Sequence, residues 1–154
     1  MPRRRKIRFI EGPPSSFGFK PKGIPARFLK TIILSLDEYE SIKLVDYYNL
    51  EHEEASKKLG ISRSVFTRNL DVSRKKIAKA IVEGCELSIE GGDVQFEKNY
   101  YRCLNCFGLF ENGREDDIKL QCPFCNSENV DNLNSYYQQN GKGHHFRRGQ
   151  RNHD

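Results

Sequence analysis

Two C-x₂-C pairs, Cys103/Cys106 in "CLNC" and Cys122/Cys125 in "CPFC", stand fifteen residues apart. Two such pairs can deliver four thiolates to one tetrahedral centre, and the spacing is that of a small β zinc ribbon. With sulfur at all four positions, no site is left for a substrate water. The expected cofactor is therefore a single structural Zn²⁺ held by Cys103, Cys106, Cys122 and Cys125. A segment of about 38 residues cannot fold on burial alone, so metal binding is expected to drive the folding of residues 98–137. A redox dithiol would not need two motifs, and this spacing favours an iron–sulfur cluster less. Tyr100, Tyr101, Phe107, Phe110 and Phe124 flank the pairs and are expected to form the ribbon's miniature core rather than a base-stacking platform. The fifth cysteine, Cys85, reads as a buried thiol just past a helix end.

The rest of the 154-residue chain divides by composition. Residues 1–30 carry nine basic side chains against one acidic and hold five of the six prolines, which predicts a basic Pro/Gly-rich arm. Residues 31–97 are predicted to form a mainly α domain that ends in a small β-hairpin, "ELSIE-GG-DVQF", turning on Gly91 and Gly92. Residues 138–154 are too polar to pack and are expected to be a disordered basic tail, its His144, His145 and His153 without fixed geometry. Positive ends on a slightly acidic body point to a polyanionic partner. The N-terminal arm would either lie in a minor groove or pack as an ordered strand beside the helices. No apolar run approaches the ~18 residues a membrane span needs. The basic start lacks a secretory leader, so the expectation is a cytoplasmic protein with reduced thiols and no membrane partner.

Within residues 31–97 the helical signals are local. Tyr39, Ile42 and Val45 recur at three-residue steps and mark a first helix over "DEYESIKLVDYY", opened by a capping box of either Ser35/Glu38 or Asp37/Glu40. A second helix covers Glu51–Leu59, with His52 in water, and Gly60 ends it. Ser62 then caps a third helix of about twenty residues, ending near Gly84, whose buried face would carry Phe66, Leu70, Ser73, Ile77 and Ile81. Ala55, Ser56, Leu59, Ile61 and Phe66 at this spacing fit a helix-turn-helix. Its third helix would enter a DNA major groove by its N-terminal end, with Arg63, Ser64, Thr67 and Arg68 reading bases and Arg74 and Lys75 meeting phosphates. The stretch 62–79 holds six basic residues against one acid, Asp71, inside a segment that is acidic overall.

The segment "LDEYESIKLVDYYNLEHEEASKKLGISRSVFTRNLDVSRKKIAKAIVEG" resembles the C-terminal promoter-recognising domain of extracytoplasmic-function sigma factors. More closely, "PRRRKIR", "FKPKGIP", "LDEYESIKL", "GISRSVFTR" and "LSIEGG", in that order over residues 1–92, resemble a small prokaryotic family described as DNA-binding proteins of unknown function. The resemblance implies a helix-turn-helix and a DNA-binding role without a target. His52 stands where that family tends to have glutamine, and Val65 where threonine is usual, which takes a polar base contact away from that position.

The expected function is sequence-specific binding of double-stranded DNA as a transcriptional regulator. Two alternatives stand beside it. One is a protein-interaction module of the transcription machinery, with the ribbon meeting RNA polymerase or another protein; the other is RNA binding through the basic ends. The run Glu115-Asp116-Asp117 argues that the ribbon meets protein rather than phosphate. Helix-turn-helix proteins commonly pair on half-sites, so a homodimer is an arrangement open to this chain. An enzyme is not expected: there is no phosphate-cradling glycine motif, no nucleophile–histidine pairing and no supported carboxylate pair.

Overall fold

The computed structural model describes residues 6–112 and 119–140. The first five residues of the basic lead, the run Glu115-Asp116-Asp117 and the tail beyond Asn140 with its three histidines lie outside them.

Each of the three body helices begins and ends where local chemistry dictates. Helix α1 (Leu36–Ile42) starts after Ser35, whose N–H donates to the Glu38 carboxylate at 3.0 Å. That interaction selects the Ser35/Glu38 box over Asp37/Glu40. The chain continues through a π-turn, Lys43–Tyr47. Helix α2 (His52–Leu59) stops at Gly60, which adopts φ +73°, a left-handed conformation costly for any residue with a Cβ. Helix α3 (Arg63–Glu83) starts at Ser62, whose hydroxyl accepts the Val65 N–H at 3.3 Å. Leu44, Ala55, Leu59, Phe66 and Leu70 close over one another as a fully buried cluster between these helices. Ser56 is buried among them, small enough to let α2 approach α3. The buried stripe of α3 then runs through Ser73 to Ala80, while Ile81 is 77% exposed. The reason is helical drift: at 100° per residue, Ile81 overshoots the Phe66 direction by about 60° and Ala80 falls short by about 40°, on the side of the sheet.

The predicted hairpin is not formed. Strand β4 (Glu86–Ile89) lies between β2 (Gly18–Phe19) and β3 (Thr31–Leu34), antiparallel to the first and parallel to the second. Strand β5 (Val94–Phe96) leaves that sheet and pairs in parallel with β1 (Arg8–Ile10). Gly91 and Gly92 carry the chain from one sheet to the other. The Gly91 carbonyl accepts from the Leu36 N–H at 3.0 Å, and a Cβ on Gly92 would stand 2.9 Å from an Asp37 carboxylate oxygen. The paired glycines thus serve a close passage beside the start of α1, not a two-residue turn. For the same reason residues 6–30 are no free arm. Strands β1 and β2 are woven into the two small sheets, and Ile10, Pro13 and Pro14 are buried.

Strands β6 (Tyr100–Cys103), β7 (Leu109–Glu111) and β8 (Val130–Asn132) form an antiparallel sheet with β6 in the centre, and helix α4 (Leu133–Asn140) follows directly. Helix therefore extends past residue 137, where a disordered tail was expected to begin. Leu133 and Tyr137 of α4 insert into the second cluster of the body, beside Ile10, Leu34, Leu36, Ala80, Leu87, Ile89 and Phe96. Cys85 is buried in the same cluster as a free thiol, as expected. Among the described residues no helix is long and apolar enough to cross a membrane.

Candidate metal centre and candidate nucleic-acid interface

The sulfur atoms of Cys103, Cys106, Cys122 and Cys125 all lie within 4.8 Å of one another. Two loops of the same backbone design bring them together. In the first, the Phe107 N–H donates to the Cys103 carbonyl at 3.0 Å and the Cys103 N–H to the Gly108 carbonyl at 3.0 Å. In the second, the Asn126 N–H donates to the Cys122 carbonyl at 2.9 Å and the Cys122 N–H to the Ser127 carbonyl at 2.9 Å. The residue after each second cysteine, Phe107 or Asn126, takes positive φ, 60° and 59°. Backbone N–H groups also aim at sulfur: Asn105 and Cys106 donate to Cys103 Sγ at 3.3 and 3.4 Å, and Phe124 donates to Cys122 Sγ at 3.4 Å. Such donors stabilise thiolates. The Cys106 N–H, with that of Asn105 and against burial, lowers the Cys103 pKa to about 6. The Gly108 N–H pulls the Cys106 thiol down as well, yet burial and the hydrogen bonds it shares with Cys122, Cys103 and Cys125 push it up to about 12. Four neighbouring sulfurs cannot all ionise unaided. A metal cation at their centre removes that conflict, and the donor set and spacing fit an ion such as zinc.

The aromatic residues around this centre do not form the expected core together. Tyr101 stacks on Phe110 at 5.8 Å between ring centroids, and Tyr100 meets Phe96 of the body. Phe107 and Phe124, by contrast, are 68% and 66% exposed. Gly108 permits this: a Cβ there would stand 2.5 Å from the Phe124 ring.

On α3, Ser64, Arg68 and Lys75 lie on the side opposite Phe66 and Leu70 and are exposed, as is Arg63 at the first turn. Charge pairing separates the six basic residues of this helix into two groups. Arg74 gives two hydrogen bonds to Asp46, at 2.7 and 3.1 Å; Lys76 binds Glu38 at 2.8 Å; Lys79 meets Glu83 at 3.8 Å. Arg63, Arg68 and Lys75 form no ion pair among the described residues. The Arg74 hydrogen bond holds the Asp46 carboxyl below its ordinary range. Thr67 is half-buried, its hydroxyl 3.0 Å from His52 Nδ1, and the His52 ring meets Phe66 edge-on. His52 is therefore packed rather than solvated, and Thr67 and Arg74 are each engaged within the protein.

The start of α3 opens onto a cleft of roughly 910 Å³ whose walls include Lys6, Arg8, Ser62, Val65, Asn69 and Asp93. Arg8 donates to Asp37 and, at 3.2 Å, to the side-chain carbonyl of Asn69 on α3. The Asn69 amide group in turn donates to the Asp37 carbonyl at 3.2 Å and the Ser41 hydroxyl at 2.8 Å. This network ties β1 to α1 and α3 and places Lys6 beside the α3 tip. Reading the sequence did not single out Lys6, Arg8 or Asn69. The position of Lys6 and Arg8 follows from the β1–β5 pairing across the length of the domain, for which no local signal exists.

The molecule is thus a helical body joined to a small β module with a four-cysteine cluster. The chain belongs to a family of uncharacterised prokaryotic proteins: the family model "Protein of unknown function DUF134" matches residues 1–97. Among its relatives, a UPF0251 protein of Chloroherpeton thalassium is 43% identical over 137 residues, covering 89% of this chain and 90% of the relative. A UPF0251 protein of Halothermothrix orenii is 39% identical, covering 82% of this chain and 94% of its own length. One from Methanothermobacter thermautotrophicus is 36% identical, covering 84% and 67%. No solved structure matches the chain.

Proposed function

We propose that the chain is a sequence-specific DNA-binding protein and transcriptional regulator, with α2 and α3 acting as a helix-turn-helix and a structural Zn²⁺ held by Cys103, Cys106, Cys122 and Cys125. One observation carries the reading. The cations of α3 that have no acidic partner among the described residues, Arg63, Arg68 and Lys75, lie with Ser64 on the exposed side of the helix or at its open start. Arg63, Ser64 and Arg68 would contact base edges and Lys75 a phosphate. Thr67 supports the surface through His52, and Arg74 reaches a phosphate only from its place beside Asp46. Zinc has no catalytic part in this reading, since the four thiolates complete its tetrahedron.

Selection of bound duplexes from a random pool tests the activity and shows any half-site symmetry. On the selected site, Arg68→Ala is expected to cost about 1–3 kcal/mol and relax the sequence preference. Lys75→Ala should weaken all sequences alike and reduce the salt slope by about one. If both variants bind every DNA as the parent does, the reading fails.

The exposed Phe107 and Phe124 favour one second reading, a ribbon that docks on a protein of the transcription machinery. Co-purification with RNA polymerase that is lost on replacing both rings by serine, together with negligible affinity for free DNA, would move the function there.

A further inference from the structure

Between the ribbon and the body lies a cavity of roughly 350 Å³, walled by Phe17, Arg102, Leu104, Asp131, Leu133 and Tyr136, among others. Its size falls in the range of small-molecule sites, and most of its wall is apolar. Arg102 is its cation. The side chain is only 9% exposed, donates through Nη2 to the Ser15 carbonyl, and lies with its guanidinium carbon 5.0 Å from the centroid of the Phe17 ring. Neither partner carries the negative charge that a buried guanidinium calls for. Asp131, directly across the strand pair, is exposed and forms no ion pair with Arg102 among the described residues.

Three buried side-chain polar atoms among the described residues lack a hydrogen-bond partner: Glu40 Oε2, Arg102 Nε and Tyr137 Oη. Glu40 Oε2 has the Lys43 ammonium 3.0 Å away and so is charge-paired. Of the other two, Arg102 stands in the cavity wall, while Tyr137 packs behind it in the body cluster, its ring against Phe17 and Tyr136 with centroids 6.2 and 5.0 Å apart. Buried polar groups are seldom left unpaired, and a buried guanidinium in the wall of an apolar cavity, with no anion beside it, calls for a polar partner there.

We propose that this seam binds a small organic carboxylate with a flat apolar body, its carboxylate accepting from Arg102 and its apolar part lying against Phe17, Leu104 and Tyr136. The site stands apart from the DNA reading, since none of these residues belongs to α3.

The test is a titration of the full chain with benzoate, followed by backbone amide NMR shifts, with benzamide as the neutral isostere. Benzoate should produce saturable shifts at Leu104 and Ser135, and benzamide should bind about tenfold or more weakly, because it forfeits the charge-assisted hydrogen bond. Asp131→Asn removes the one negative side chain among the described residues of the wall and should tighten benzoate about threefold. Arg102→Gln should abolish the saturable shifts; where loss of its bond to Ser15 unfolds that variant, the benzamide ratio and Asp131→Asn decide. Equal binding of benzoate and benzamide, no saturable shift with benzoate in the tens of millimolar, or an Asp131→Asn protein that binds benzoate no better would each overturn the proposal.

Discussion

The helical body and the ribbon are held together by different physics. Around Phe66 the body has a closed cluster, Leu44, Ala55, Leu59 and Leu70, drawn entirely from the helical segments. The described residues of the ribbon have none of their own. Its fully buried Leu133 packs into the body's second cluster, and two of its aromatic rings face solvent. What remains to hold it is the four-sulfur centre and the contacts along the seam, including the Tyr100 hydroxyl on the Glu11 carbonyl at 2.6 Å. Burial alone closes the body's cluster around Phe66; under the proposed reading the ribbon needs a cation as well as its neighbour.

Removing the cation should expose that difference most strongly. Structural zinc in small modules contributes about 10–16 kcal/mol, so a strong chelator or Cys122→Ser should unfold residues 100–140. Amide exchange around Phe66 and Leu70 should stay slow while that of β6 and β8 becomes fast. Equal loss of protection in both regions would show that the shared cluster makes them one cooperative unit.

Phe66→Ala acts from the other side. It leaves a void in a cluster with no slack and should cost about 3–5 kcal/mol, measured by urea denaturation. A loss under about 1 kcal/mol would mean that the helices do not rely on that cluster. The smallest effect belongs to the surface. Asp46 is held below its usual pKa by Arg74, so its contribution is present at neutral pH and fades as pH falls below the carboxylate range. Both partners are substantially exposed, so Asp46→Asn should cost less than about 1 kcal/mol at pH 7 and progressively less as the pH falls and the carboxyl takes up its proton. A larger loss, or one that persists in acid, would contradict the assignment.

These contrasts follow how legible each part was. Ser62, Gly60 and Gly84 mark their helix ends because capping is settled within four residues. The cysteine spacing announced the four-sulfur cluster because each knuckle is a turn of local backbone bonds. The candidate interface was legible as a stripe on α3, since helical periodicity alone places Ser64, Arg68 and Lys75 opposite Phe66. Which cations on that helix find an acidic partner among the described residues was not legible, because Asp46 and Glu38 come from other elements.

The sequence by itself therefore determined the three body helices, their caps and the gathering of four sulfurs, all products of interactions between near neighbours along the chain. Tertiary structure alone decided that Gly91 and Gly92 link two sheets instead of closing a hairpin, that residues 8–10 form a strand beside residues 94–96, and that Thr67 and Arg74 turn to His52 and Asp46. Parallel pairing and ion pairs across tens of residues depend on where whole elements pack, and no short window of sequence carries that information.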